Sequence, residues 1–483
     1  DMAFNFRRFL TWRWLALPLV LAALCVVACG GQPLEPWHSA RLQTEFTAKD
    51  ADEITSLDDY VALEQSLFEE LYEEVYADVP TGEEFALNRY SSGSASDPRM
   101  RQPDYNRTFE LEVDNPRGGI LLLHGLTDSP YSLRAIGQKL HELGYHVVGL
   151  RLPGHGTIPA ALKKARWQDW SAAAQLAFDH LAAEVGDRPI HVAGYSTGAG
   201  IALDIAIRAL DDDAPSAPAS LILVSPAIGV SAAAALAGPT AALGRVPGFG
   251  RIAWTERLPE FDPYKYNSFP VNAGAQVHKL TRYVSNRVNR LVSSGRAADM
   301  PPILVFKSAV DATVSTDALV DRLLGRLPDN GNELVLYDIN RSAIASPILV
   351  ADPGPFTNRL VGDDTLPFAL RLIANESPSS TAMIEHYKPA FSGGFTETRS
   401  LKASWPRGVI SLSHVALPFP PDDPLYGAER PDDSGQLYLG QLAIRGERGL
   451  MLLSSDWLLR LRHNPFYAVQ EKRIIDWVAA TSD

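Results

Sequence analysis

Cysteine is almost absent from this chain. Two occur among 483 residues, Cys25 and Cys29, both near the N-terminus. The body can therefore hold no disulfide framework, no cysteine-ligated metal centre and no thiol nucleophile. An excess of positive charge is also lacking. Lys and Arg number 44 against 57 Asp and Glu, a formal net charge of −13, which argues against nucleic acid as a partner. No Walker-type or dinucleotide Gly-rich loop follows the first strand-like runs, so no nucleotide cofactor is expected. No metal motif is present either; His124 and His155, for example, do not form a ligand cluster. The chemistry is thus expected to run without cofactor or metal. What the chain does have is apolar content, 46%, enough for a substantial core.

Long apolar runs are equally scarce. One, Trp14 to Ala28, follows Arg7, Arg8 and Arg13 and contains Pro18. It is short for a membrane span of ~20 residues and fits the apolar core of a signal peptide. Val26-Val27-Ala28-Cys29 resembles the bacterial lipobox, which implies a signal peptide over 1–28 and lipidation of Cys29. Gly30 after the cysteine, rather than Asp, then implies sorting to the outer membrane of the bacterial envelope. A plain transmembrane anchor or an ordinary cleaved signal are the alternatives. Residues 29–49 read as a tether. Residues 50–108 read as a helical extension, with Leu57, Tyr60, Val61, Leu63, Leu67, Leu71 and Val75 at mainly three- to four-residue spacing in an acidic stretch.

From residue 109 onward short apolar runs alternate with helical periodicity. Strands are predicted over 109–113, 119–123, 146–152, 189–195, 221–224, 303–306, 334–337 and 409–413. Helices are predicted over 132–143, 167–185, 201–208, 316–327 and 472–480. Such alternation predicts an α/β fold with a mostly parallel sheet. Two long stretches interrupt it. Residues 227–300, rich in small apolar and aromatic residues, read as a lid. Residues 341–406, with weak signals and many Pro, Ser and Gly, read as a late insertion.

The centre of the pattern is Ile190-His191-Val192-Ala193-Gly194-Tyr195-Ser196-Thr197-Gly198. A five-residue Gly-X-Ser-X-Gly pattern arises by chance too often to stand alone. Here a strand-like run precedes it and a helical run follows it, which is the context a nucleophile elbow requires. The two glycines allow strand and helix to crowd together, forcing Ser196 into a strained turn with its hydroxyl exposed.

The succession Leu121-Leu122-Leu123-His124-Gly125-Leu126, Leu152-Pro153-Gly154-His155-Gly156 and Gly194-Tyr195-Ser196-Thr197-Gly198 resembles the α/β-hydrolase superfamily. In detail it is similar to the bacterial carboxylesterase and monoacylglycerol-lipase branch. The resemblance implies a catalytic order Ser, Asp, His, with the acid at the exit of a late strand. Asp311, after the strand 303–306, fits that place; Asp338 and Asp262 are its competitors. His414 is favoured as the base over His386 and His463, although it follows Asp311 by 103 positions, which the late insertion would explain. The resemblance further implies an oxyanion hole made by the backbone N–H groups of Leu126 and Thr197, and leaves His124 and His155 as structural residues. The function implied is serine-based hydrolysis of carboxylic esters, lipid-like or small and apolar in the acyl part. A thioesterase or amidase with the same triad, or a catalytically idle scaffold with a binding role, are the alternatives.

Overall fold

Five-residue apolar runs such as Gly119–Leu123 can be buried on both faces only if helices cover both faces, and that is what forms. The computed structural model describes residues 34–211, 216–229, 250–311, 314–342, 352–407, 409–430, 437–440 and 461–482. Cys29, the signal-peptide run and most of the apolar centre of the expected lid lie outside these residues. Among the described residues no helix is long and apolar enough to cross a membrane.

In chain order, helix α1 is Leu57–Glu74, strand β1 is Phe109–Leu111 and β2 is Gly119–Leu123. Helix α2 is Arg134–Glu142, β3 is His146–Leu150, α3 is Trp167–Val185 and β4 is Ile190–Tyr195. Then come α4 (Thr197–Asp211), β5 (Ser220–Val224), α5 (Val271–Ser293), β6 (Ile303–Ser308), α6 (Thr316–Arg322) and β7 (Glu333–Tyr337). The chain closes with α7 (Gly354–Gly362), β8 (Ala369–Asn375), β9 (Ala382–Lys388), β10 (Glu397–Ser404) and α8 (Tyr467–Ala480). The ten strands form one sheet in the order β1-β3-β2-β4-β5-β6-β7-β8-β9-β10. From β3 to β8 the pairing is parallel, whereas β1 and the β8-β9-β10 end are antiparallel.

Successive side chains of a strand point to opposite faces. Leu121, Leu123, Val148, Val192, Leu221, Leu223 and Val305 pack on α3, α4 and α5. Ile120, Leu122, Ala193, Ile222 and Leu304 point the other way and pack with Ile136 and Leu140 of α2 and with Ile474 and Trp477 of α8.

Several expectations change. Residues 341–406, expected to be an irregular insertion, contribute α7 and three strands, and β8 pairs in parallel with β7. Pro, Ser and Gly in the connecting loops diluted the strand signal, and β10 is largely exposed, so its apolar alternation is weak. Residues 409–413, expected as a strand, form none. They run as an extended loop in which Asn340 donates through its backbone N–H to the Ile410 carbonyl and through Nδ2 to the Val409 carbonyl. The second half of the expected lid is α5, whose Val277, Leu280, Val284 and Val288 lie in the main core. The described part of the expected tether is docked on the body. Trp37, His38 and Phe46 are buried, and Glu45 grips both Arg151 and the Gly154 N–H. The amphipathic helix begins at Leu57, where Ser56 caps it by accepting from the Asp59 N–H, rather than at residue 50.

Candidate active site

The turn after β4 is as compact as its glycines allow. A Cβ on Gly194 would meet the Gly198 and Ala199 backbone at 2.5 Å, and one on Gly198 would collide with the Leu123 carbonyl. Ser196 between them has φ +53°, a left-handed conformation that costs a non-glycine residue energy. Three backbone bonds hold it there. Its N–H donates to Val224 O at 2.9 Å, and its carbonyl accepts from Ala227 and Ala199 at 3.0 and 3.2 Å. The Thr197 N–H opens α4 and so has no carbonyl partner within that helix.

The loop leaving β2 lies beside this turn, because β2 and β4 are neighbours and Gly198 abuts Leu123. His124 shapes the loop. Its Nε2 accepts from the Leu152 N–H at 3.0 Å, so its Nδ1 carries the proton and donates to Gly125 O at 2.9 Å. Burial first, then neighbouring positive charge, holds its basicity far below that of an ordinary imidazole. His155 is likewise buried and pushed down to about 3. Both are neutral structural residues. Thr127 also has positive φ, +64°, and its carbonyl accepts from Tyr266 N at 2.8 Å. Lys265 Nζ lies 3.1 Å from Asp128 Oδ1, with both side chains largely buried. These contacts anchor the loop that carries Leu126. Among the described residues neither the Leu126 nor the Thr197 N–H donates to a hydrogen-bond partner.

The residues expected as acid and base are joined directly. His414 Nδ1 and Asp311 Oδ2 are 2.9 Å apart across 103 positions of sequence. Asp311 leaves β6 and His414 opens a short 3₁₀ turn, so both lie at the C-terminal edge of the parallel strands, as Ser196 does. The Tyr195 and His414 rings stand 5.3 Å apart, which puts His414 next to the elbow. Asp311 Oδ2 also accepts from Lys307 Nζ at 2.6 Å, while Lys307 reaches Val314 O at 2.8 Å; both charged side chains are fully buried. Burial by itself raises the Asp311 pKa. The bonds and charges of His414 and Lys307 overcome this and hold the carboxyl well below the usual range.

The competing residues are engaged elsewhere. Asp338 pairs with Arg341 at 3.0 Å, and Asp262 binds Tyr426 and Arg462. His386 is on β9, bonded to Thr398 and stacked on Phe395. His463 Nδ1 faces the Tyr426 carbonyl at 3.1 Å. Sequence reasoning missed Lys307 and Lys265. A signal for the first existed, a lysine inside the apolar run Ile303-Leu304-Val305-Phe306-Lys307, four residues before Asp311. A cavity of about 510 Å³ lies between residues 93–105 and the stacked pair Tyr131 and Tyr264, but it is lined by none of Ser196, Asp311 and His414.

Residues 114–341 match the family described as serine aminopeptidase, S33. The chain is 26% identical over 203 residues to the thermostable monoacylglycerol lipase of Bacillus sp. (strain H-257), covering 42% of this chain and 74% of that protein. Among solved structures, the monoacylglycerol lipase of Paleococcus ferrophilus is 19% identical, with a TM-score of 0.36 over 48% of this chain and 88% of its own. A structure reported with the metagenome-derived lipolytic enzymes LipS and LipT is 21% identical, with a TM-score of 0.38 over 48% of this chain and 87% of its own. The parallel sheet, the Gly194–Gly198 elbow and the family match over 114–341 together give the chain an α/β-hydrolase fold that is similar to the serine hydrolases of that superfamily.

Proposed function

We propose that this hydrolase is of the lipase and esterase type and cleaves carboxylic esters through an acyl-serine intermediate. The observation that carries the reading is the bond between Asp311 and His414, which brings an acid and a base to the strand edge that bears the Ser196 elbow. In this mechanism His414 Nε2 takes the Ser196 hydroxyl proton as Oγ attacks the ester carbonyl carbon. The Leu126 and Thr197 N–H groups receive the oxyanion, at the positive end of α4. Collapse breaks the C–O bond, and His414 returns the proton to the departing alcohol. Water, deprotonated by His414, then releases the acid and restores Ser196. Asp311 orients the imidazole and balances its positive charge; Lys307 keeps Asp311 ionised and fixed.

The relative of known activity is a monoacylglycerol lipase, which favours an ester with an apolar acyl part. The name of the matching family, serine aminopeptidase, supports a second reading in which the bond cleaved is an amide. The two part in one assay. Monoacylglycerols and nitrophenyl acyl esters are expected to turn over at least about 100-fold faster than aminoacyl anilides, and the reverse order would favour the amide reading. Anchoring through a lipidated Cys29 is the proposal for location. It predicts that Cys29→Ala moves the protein from membrane to soluble fractions with unchanged specific activity, and a variant that stays in the membrane pellet contradicts it.

A further inference from the structure

At the opposite end of the sheet, three side chains from three elements converge on one point. Glu110 of the edge strand β1, His146 at the start of β3 and His180 of α3 place one ligand atom each within 4.8 Å of the other two. Glu110 Oε1 is 2.6 Å from His146 Nε2 and 2.7 Å from His180 Nε2. His146 is nearly buried, with its side chain 5% exposed, while His180 and Glu110 are 20% and 24% exposed, so the cluster is closed on one side and open to solvent on the other.

We propose that Glu110, His146 and His180 bind a divalent cation of the zinc type. Two imidazole nitrogens and one carboxylate oxygen are the donor set this ion takes, and the fourth position, on the open side, would be filled by water. Bonds of about 2.0–2.2 Å in a tetrahedron put ligand atoms roughly 3.3 Å apart. Glu110 must therefore withdraw by well under 1 Å, which its part-exposed side chain permits, and the two Nε2 atoms, no more than 4.8 Å apart, must close to the same separation. On binding, the proton that each Nε2 directs at Glu110 moves to Nδ1 of the same ring.

The site is structural. His146 pairs with Gly119, which pairs with Ile190, so it marks the N-terminal edge of the parallel strands, whereas Ser196 follows their C-terminal edge. Strand β1 is three residues long and, among the described residues, pairs with β3 alone. It is also where the N-terminal extension enters the sheet, and a bound ion would tie it to both β3 and α3. No sequence motif shows this site, because its ligands are 36 and 34 positions apart.

The test uses tag-free protein stripped with a chelator and titrated with Zn²⁺ against a competing indicator dye, with Tm measured in parallel. The wild type is expected to take up one equivalent and to gain Tm, while ester turnover stays unchanged. Glu110→Gln and His180→Ala, measured separately, are each expected to weaken binding by at least about tenfold and to abolish the Tm gain. His180 lies on the surface of α3, so its variant keeps the test open should Glu110→Gln fold poorly. A wild type whose Tm ignores Zn²⁺ overturns the proposal, leaving only a hydrogen-bonded cluster. Variants that bind zinc as the wild type does overturn it too.

Discussion

Ser196 is held by a turn shaped within a few residues of it and by backbone bonds to Val224 and Ala227, at and just past the end of the neighbouring strand β5, whereas Asp311 and His414 are joined across 103 positions of sequence. The elbow needs two glycines, one strand end and one helix start, and its strain is maintained by backbone bonds to Val224, Ala227 and Ala199. The acid and base need β6, a buried lysine and a loop that returns after α7 and three further strands. A local device fails when one atom is added in the wrong place. A long-range device fails when a charge is left without its partner. The loop proposed to receive the oxyanion stands between the two, since it is short but depends on Lys265 and Tyr266 from distant sequence.

The largest effects are expected where the proposed reacting atoms are removed. Ser196→Ala is expected to lower kcat/KM for esters by about 10⁴-fold or more with Tm preserved, and His414→Ala by a similar factor. Their combination should be hardly worse than either alone, because the two act as a unit. If the losses multiply instead, the two residues do not share one step. Asp311→Asn is expected to cost about 10³–10⁴-fold, since the wrong tautomer of His414 would be favoured.

Gly198→Ala and Lys307→Met compare the two devices directly. The first pushes a methyl into the Leu123 carbonyl and should cost about 1–3 kcal/mol of stability, with loss of turnover from the displaced elbow. The second removes one charged partner of a buried carboxylate that keeps its bonds to His414 and the Val314 N–H, and should cost about 1.5–3 kcal/mol. Denaturant unfolding at fixed pH measures both. The Lys307 effect carries a pH signature that the Gly198 effect lacks. Asp311 is held below its ordinary value of 3.8, so its ion-pair contribution is complete above that pH and is lost as pH falls through the lower folded value. The stability gap between wild type and Lys307→Met should therefore narrow in strong acid, while the Gly198→Ala gap stays constant. In activity, removing the lysine charge strengthens the hold of Asp311 on imidazolium, so the acid limb of kcat/KM should move to higher pH. An unmoved limb would reduce Lys307 to packing. The smallest effects are expected for His386→Ala and His463→Ala, within about threefold of wild type; a silent enzyme in either case would contradict the choice of His414.

What was legible in the sequence follows the same division. The β4–α4 turn could be read because its geometry is dictated by Gly194 and Gly198, and the helix Trp167–Val185 because its periodicity is uninterrupted. Asp311 and His414 could be ranked but not joined, since their contact depends on where β8 to β10 carry the chain. Those strands were missed because β8 is bounded by Pro, Ser and Gly, and because half-exposed strands such as β10 lack a continuous apolar run. The packing of residues 34–49 was missed for a related reason. Its anchors are single residues, Trp37, His38, Glu45 and Phe46, with no period between them. The pairs Lys307–Asp311 and Lys265–Asp128 are contacts whose partners only the fold reveals, although a lysine in an apolar strand is itself a warning that a buried acid is near.

The proposed mechanism turns on the activation of Ser196 by a base 218 positions away in sequence. Covalent labelling by a fluorophosphonate ester, followed by intact mass and peptide mapping, tests it most directly, because the reagent reacts with an activated serine whatever the natural substrate is. One adduct per chain is expected, on Ser196, formed rapidly in the wild type, absent in Ser196→Ala and slowed by about 10³-fold or more in the folded His414→Ala variant. Labelling of His414→Ala at the wild-type rate, or an adduct on any residue other than Ser196, would contradict it.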